Sequence, residues 1–241
     1  MSAAGCILGR VNGTSIRARS GAGAASRAEQ IAELRARMSA LGGEVVRPAA
    51  PDVDVVPTGG ELGVLFPHGG LPRRAVSHFS DTPALVVEVI ARVAEDGGFC
   101  GVVGWPELSY AGIAAERMDR IVAVPDPGID PLSVAGVLAE GLDLVVLRTP
   151  QRIELSPVRA RPLLAKLRHG RAALVAVGTR VPSAALEVTG EVVDFHGVGR
   201  GQGRISGIDL RVRARAKGAQ PASRVLTLGG APQQPGLRVV K

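Results

Sequence analysis

The chain reads as an α/β protein with three layers: a mostly parallel sheet between helices, a C-terminal antiparallel hairpin and a tethered N-terminal helix. Three observations predict this. From residue 60 onward, short continuous apolar runs ("AVSHFS", "FCGVVGW", "RIVAVPD", "LDLVVLR", "RAALVAVGT") alternate with segments of helical length. Such runs suit strands buried on both faces, and strand–helix alternation implies a parallel sheet with right-handed crossovers. After Thr179 the rhythm changes to a period of two in "AALEVTGEVVDFHGV" and "GRISGIDLRVRARAKG", separated by "GVGRGQG", which is a hairpin pattern. Far upstream, "SRAEQIAELRARMSAL" carries one apolar stripe and stands apart behind a Pro-rich stretch.

Taken in order, residues 1–24 are Gly, Ala, Ser and Arg without periodicity and are expected to be a disordered tail. Residues 25–57 hold the amphipathic helix and its linker. Ile31, Leu34, Met38 and Leu41 form the stripe, Ser26 and Glu29 form a capping box, and Gly42 and Gly43 end the helix. A stripe on a tether must be buried, either on its own domain or on a second copy, so these four residues are candidates for self-association. Residues 58–217 make the core. It opens with a short helix or turn in "GELGVLFPHGG" and the strand "AVSHFS". A helix follows with Thr82 as N-cap, Pro83 at its first position and Gly97 as terminator. Further helices are expected at "LSYAGIAAERM", at "DPLSVAGVLAEG" with Asp130 as N-cap, and at "SPVRARPLLAKLRHG". Residues 218–241 are Gly/Pro/Gln-rich and are expected to be a flexible tail with a short apolar-basic tip, "LRVVK".

Composition bounds the function. Of 241 residues 46% are hydrophobic and only 2% aromatic, so the core is built from Val, Leu, Ile and Ala. No apolar run reaches the roughly 18 residues of a membrane span. The N-terminal apolar stretch is too short for a signal peptide, so a cytoplasmic location is expected, with association to the nucleoid as a variant of it. Cys6 and Cys100 lack metal-ligand or disulfide-framework spacing, and His68, His169 and His196 fall in unrelated contexts, so no metal site is read. His78 beside Ser77 and Ser80 has no acid in register and reads as an ordinary strand residue.

The net charge of +7 is unevenly spread: residues 1–147 carry −5 and residues 148–241 carry +12. GC-rich coding accounts for 26 Arg against 3 Lys, but not for the scarcity of acids in the second half. A polyanionic or acidic partner is one reading. Arg211, Arg213 and Arg215 share one strand face, extended by Lys217, and Arg159, Arg161, Lys166, Arg168 and Arg171 crowd the helix before the last parallel strand. With no aromatic residue nearby, any DNA contact there is electrostatic, sequence-blind and salt-sensitive.

The order of elements resembles the RecA family. "GGLPRRAVSHFS" is similar to the segment that enters its phosphate loop, "VVEVIARVAEDGGFCGVVGWPE" to its helix, next strand and strand-end glutamate, and "RIVAVPDPGIDPLSVAGVLAEGLDLVVLRTP" to the run ending in the Walker B strand. "VPTGGELGVLFPHGGLPRR" resembles the ImuA branch, and within it the degenerate ImuA′ proteins of mutagenic DNA-repair cassettes. The resemblance implies a RecA-like core over 58–217. It also implies a non-catalytic role in DNA-damage-induced (SOS) translesion synthesis. The implied partners are an ImuB-like inactive Y-family polymerase homologue and, through it, the sliding clamp and an error-prone replicative polymerase.

A working phosphate loop needs glycines, a lysine and a Ser/Thr for Mg²⁺. Here the turn is Ser80-Asp81-Thr82-Pro83-Ala84: too short to wrap a triphosphate, with an acid that repels it and a proline that removes a donor. The Walker B strand ends in Arg148 instead of aspartate, and Glu107, at the place of the catalytic glutamate, has no nucleotide to serve. The expectation is therefore a scaffold with no catalytic residues, no cofactor and no enzyme activity. A RecA-like ATPase and a single-stranded DNA-binding module are the alternatives.

Overall fold

The computed structural model describes residues 54–199 and 202–230. The stripe Ile31, Leu34, Met38 and Leu41, the 1–24 segment and the "LRVVK" tip lie outside the described residues.

The chain enters through β1 (Val55–Pro57), then α1 (Gly60–Leu65), a short 3-10 turn and β2 (Gly70–Pro72). Strands β1 and β2 form an antiparallel pair, Val55 opposite Pro72 and Pro57 opposite Gly70. Then follow β3 (Val76–Phe79), α2 (Pro83–Glu95), β4 (Cys100–Val103), β5 (Ile121–Val124), α3 (Pro131–Gly141), β6 (Leu144–Glu154), α4 (Pro157–His169), β7 (Ala173–Arg180), β8 (Leu186–Gly199), β9 (Gln202–Ala216) and β10 (Ala222–Gly229). The main sheet has the order β10-β9-β8-β3-β7-β6-β4-β5. Every pair from β8 to β5 is parallel, and β9 and β10 add in antiparallel fashion. This is the mostly parallel α/β sheet with an antiparallel C-terminal extension that the sequence pattern predicts.

Strand alternation divides the core into two layers. One face of the sheet contributes Val102, Leu144, Val146, Val175, Val177, Leu186 and Leu210, packed under α2 through Leu85, Val86 and Ile90. The other contributes Val103, Val145, Leu147, Leu174 and Ala176, packed under α3 and α4 through Ala135, Ala160, Leu163 and Leu167. Of the two core N-caps named from the sequence, Asp130 caps with its side chain and Thr82 does not, while Ser156 caps α4. Asp130 accepts from the Ser133 N–H (3.1 Å) and the Ser156 hydroxyl from the Arg159 N–H (3.4 Å). Thr82 sits at the N-cap of α2 without a side-chain cap, because its hydroxyl donates to the Gly190 carbonyl (3.1 Å) instead.

Four expectations are corrected. Residues 108–118 form turns and a 3-10 stretch (Ala115–Arg120) rather than a helix. Only Leu108 and Ile113 are buried there, and a spacing of five fits no helix face. Residues 149–154, beyond the apolar run "LDLVVLR" expected as the strand, prolong β6 and pair with β7, Ile153 opposite Thr179. The linker assigned to 25–57 ends inside the fold, with Val56 buried in the core. The flexible tail assigned to 218–241 contains β10, whose Leu226 is 3% exposed, opposite Leu210 and in the cluster that holds Leu62 and Leu65 of α1. Strand β10 is held by its pairing with β9, a long-range effect that local composition does not carry. At the far edge, β5 leaves Val122 43% exposed, so the sheet is not covered on both faces along its whole width. No helix among the described residues is long and apolar enough to cross a membrane.

Candidate functional site

In an open α/β sheet the crevice beyond the carboxyl ends of the strands is where ligands bind. Here that end is occupied by a closed set of polar contacts. The Ser80-Asp81-Thr82 turn links β3 to α2, and most of its hydrogen-bonding capacity is spent internally. The Ser80 N–H donates to Val188 O (3.0 Å), the Thr82 N–H to Ser80 O (2.8 Å), and the Leu85 and Val86 N–H groups both donate to Thr82 O. The Ser80 and Thr82 hydroxyls lie 2.8 Å apart, and Ser80 Oγ accepts from the Gly190 N–H (2.9 Å). Pro83 has no N–H. A triphosphate needs a ring of free backbone donors, and this turn has turned its donors inward or toward β8.

Arg148 completes the closure. It stands on β6 at the position that the sequence resemblance equates with a Walker B aspartate. One end of its guanidinium contacts Asp81 Oδ2 (3.1 Å), the other Glu107 Oε2 (3.6 Å), and its plane lies 5.0 Å from the centre of the Trp105 ring. The arginine therefore ties the turn, the strand-end glutamate and the sole tryptophan into one unit. Its side chain is 20% exposed. Close backbone approach supports this packing. Gly104, at φ +75°, brings β4 so near to β6 that a Cβ there would lie 2.5 Å from the Arg148 carbonyl oxygen.

Beside this unit is an open cleft of about 400 Å³, lined by Ser80, Asp81, Arg152, Thr179, Arg180 and Thr189 among others. It exists because β3 ends at Phe79 while its neighbours β7 and β8 run on. His78 sits at its floor. Its Nε2 accepts from the Val181 N–H (2.9 Å), and the Arg180 guanidinium lies 3.3 Å from Nδ1. Burial, then the Arg180 charge, push the His78 pKa below the ordinary imidazole value. A base whose folded pKa is depressed stabilises the fold above its unfolded pKa and loses that contribution as pH falls. The expected result is a loss of stability from about pH 6.5 downward, reduced in a His78→Gln variant, which keeps an acceptor for Val181. Glu187, also held low by Arg215 and Arg180, titrates in a more acidic window. Denaturant curves at pH 7.5, 6.5 and 5.5 that fall in parallel for both proteins would sink this assignment.

The basic residues predicted from the sequence are partly brought together and partly neutralised. Arg211, Arg213 and Arg215 share one face of β9 with Val212 and Ala214 buried on the other. Register places that face on the side of α3 and α4, since Arg215 faces Glu187, Glu187 faces His78 and His78 faces Ala176. Two of the three are held by β8 carboxylates: Arg211 by Glu191 (3.5 Å) and Arg215 by Glu187. Lys166 pairs with Glu140 (3.6 Å), and Arg171 with Asp143 (3.3 Å) at the opposite end of the sheet. Lys166, Arg171, Arg211 and Arg215, expected as DNA or partner contacts, thus each have a carboxylate neighbour within the fold. Arg159, Arg161, Arg168, Arg213 and Lys217 have no acidic partner among the described residues. Sequence reading missed the Arg180–Glu187–Arg215 chain and the Asp143 cluster. Except for Arg180 and Glu187, seven residues apart, their members lie far apart in the chain and meet only when the sheet assembles.

The chain is similar to known proteins in sequence and in fold. Residues 64–183 match the family described as MT3502 N-terminal domain. The chain is 30% identical over 199 residues to the uncharacterized protein Rv3395c of Mycobacterium tuberculosis, covering 79% of this chain and 93% of that protein. Among solved structures, a RadB recombinase crystal structure matches with a TM-score of 0.49 and 12% identity, over 71% of this chain and 94% of that one.

Proposed function

The chain belongs to the MT3502 N-terminal domain family, and from that premise we propose that it acts as a non-catalytic RecA-like scaffold in a DNA-damage-induced translesion-synthesis complex. Its partner is an ImuB-like, inactive Y-family polymerase homologue, which connects it to the sliding clamp and an error-prone replicative polymerase. The observation that carries the non-catalytic part is Arg148. A cation bridging Asp81 and Glu107 stands where an ATPase needs a Mg²⁺-binding acid, beside a turn whose donors are engaged. The partner follows from the sequence resemblance to the ImuA branch. A fold held by Val/Leu/Ile burial on both sheet faces needs no nucleotide for its stability, so its surfaces remain available for assembly.

The C-terminal region is assigned to partner binding. Truncation must respect β10: removing residues from 225 onward takes Leu226 out of the core, so the informative deletion starts at 231. Affinity capture of the tagged full chain from DNA-damaged cells is expected to recover a Y-family polymerase homologue, nuclease-resistant and reduced at least tenfold for the 231–241 deletion. Equal recovery with the truncated chain refutes the tail's role, and absence from both refutes the scaffold. Recovery abolished by nuclease favours the second reading, direct binding of single-stranded DNA through Arg159, Arg161, Arg213 and Lys217, which are exposed and have no acidic partner among the described residues.

A further inference from the structure

The β8–β9 ladder pairs opposite charges until it reaches its outer half. Glu187 faces Arg215 and Glu191 faces Arg211, but Asp194 then faces Asp209. Like charges directly opposite each other destabilise an antiparallel pair. Two irregularities hold the arrangement in place. One lies between Val192 and Asp194 and brings Asp194 into register with Asp209; the other lies between His196 and Val198. The second contains Gly197, at φ +84°, where a Cβ would meet Arg204 O at 2.3 Å. Between them His196 shares the face of Asp194, and its Nε2 lies 2.8 Å from Asp209 Oδ1.

The nitrogen and oxygen atoms that Asp194, His196 and Asp209 offer all lie within 4.8 Å of one another. The carboxylates are also oriented from outside. Thr227 on β10 donates to Asp209 Oδ1 (2.8 Å), and the Phe195 N–H donates to Asp194 Oδ1 (2.8 Å). Among the described residues nothing donates to Oδ2 of either aspartate.

We propose that Asp194, His196 and Asp209 form a binding site for one divalent first-row transition-metal ion of the Zn²⁺ or Co²⁺ type. One imidazole nitrogen and two carboxylate oxygens suit such ions. Three protein ligands are too few for the oxygen-rich shell of Ca²⁺, and an imidazole is foreign to it. Water fills the remaining positions, since Asp194 is exposed and the other two are half-buried. The ion offsets the charge of the facing aspartates and cross-links β8 to β9 in the part of the hairpin that exposes Val192, Phe195 and Val198.

The test is calorimetric titration of the chelator-stripped full chain with Zn²⁺, repeated with Co²⁺ and visible absorption. The expected result is one ion per chain, an affinity at least tenfold lower in His196→Gln and Asp209→Asn, and a Zn²⁺-induced rise in melting temperature in the parent that both variants lose. Glu191→Gln, outside the cluster, is expected to bind like the parent, and a Cys6→Ser background removes the thiol outside the described residues. Where either variant melts early without metal, Asp194→Asn at its exposed position replaces it. No uptake at millimolar metal, or uptake unchanged in the cluster variants, overturns the site.

Discussion

Asp143→Ala is expected to lower the stability of the fold by about 3–5 kcal/mol, the cost of stripping one partner from a buried charge pair. Asp143 opens β6 with its side chain 11% exposed. Its Oδ1 takes Arg73 at 3.1 Å, and its Oδ2 takes Arg171 at 3.3 Å and the Phe99 N–H at 3.0 Å. Arg73, 18% exposed, also donates to the carbonyls of Val55 and Arg171. One carboxylate thus ties together the entry of β4, the start of β6, the β1–β2 pair and the segment leading into β7. Its removal leaves the half-enclosed Arg73 guanidinium with only Asp54 (3.2 Å) as counter-charge and a backbone donor unpaired. With a urea slope of about 1–3 kcal/mol/M, the midpoint moves by roughly 2 M. Asp143→Asn keeps an acceptor for Phe99 and is expected to cost roughly half as much. A midpoint shift below about 0.3 M in the alanine variant, near the scatter of surface substitutions, would remove Asp143 from its role as the anchor of this end of the sheet.

Local pattern exposed most of the fold and little of the site. Strands such as Cys100–Val103 and Ala173–Arg180 are continuous apolar runs, and their burial on both sheet faces makes that pattern unmistakable. Strand β10 hid because only Leu226 in "ASRVLTLG" is fully buried. As an edge strand flanked by Gly and Pro, it carries a signal indistinguishable from a tail. The segment 108–118 looked helical by composition, yet its two buried residues are five apart. For the site, sequence reading recognised the short turn and the charge reversal at Arg148, because both are departures at a single position. It could not see that Arg148 reaches Asp81, 67 residues earlier, or that Asp194 and Asp209 face each other. It also could not see that Arg211 and Arg215 spend their charge on β8. Pairings of that kind are set by register, which one residue's slip would reverse.

Arg148→Asp restores the residue type of a Walker B strand, so the ATPase and scaffold readings part on it. The scaffold reading expects no saturable ATP binding with Mg²⁺ present and a stability loss of about 2–3 kcal/mol. The loss arises because the substitution removes the contacts to Asp81 and Glu107 and the stack on Trp105, and sets a third carboxylate beside two others. Three acids could gather a Mg²⁺ ion, but the phosphates would still lack a cradle. The Ser80, Thr82, Leu85 and Val86 N–H groups remain bonded to Val188, Ser80 and Thr82, and no lysine stands in the turn. Arg148→Met, which keeps aliphatic bulk without adding an acid, is expected to lose less stability and to bind no ATP either. Calorimetry with ATP and urea unfolding on all three proteins decide the matter. Micromolar ATP affinity in the parent or in Arg148→Asp would show that the turn can open around phosphate, and the scaffold would then have to be read as a motor. Unaltered stability in both variants would instead mean that the Asp81–Arg148–Glu107 bridge decorates this end of the sheet without holding it closed.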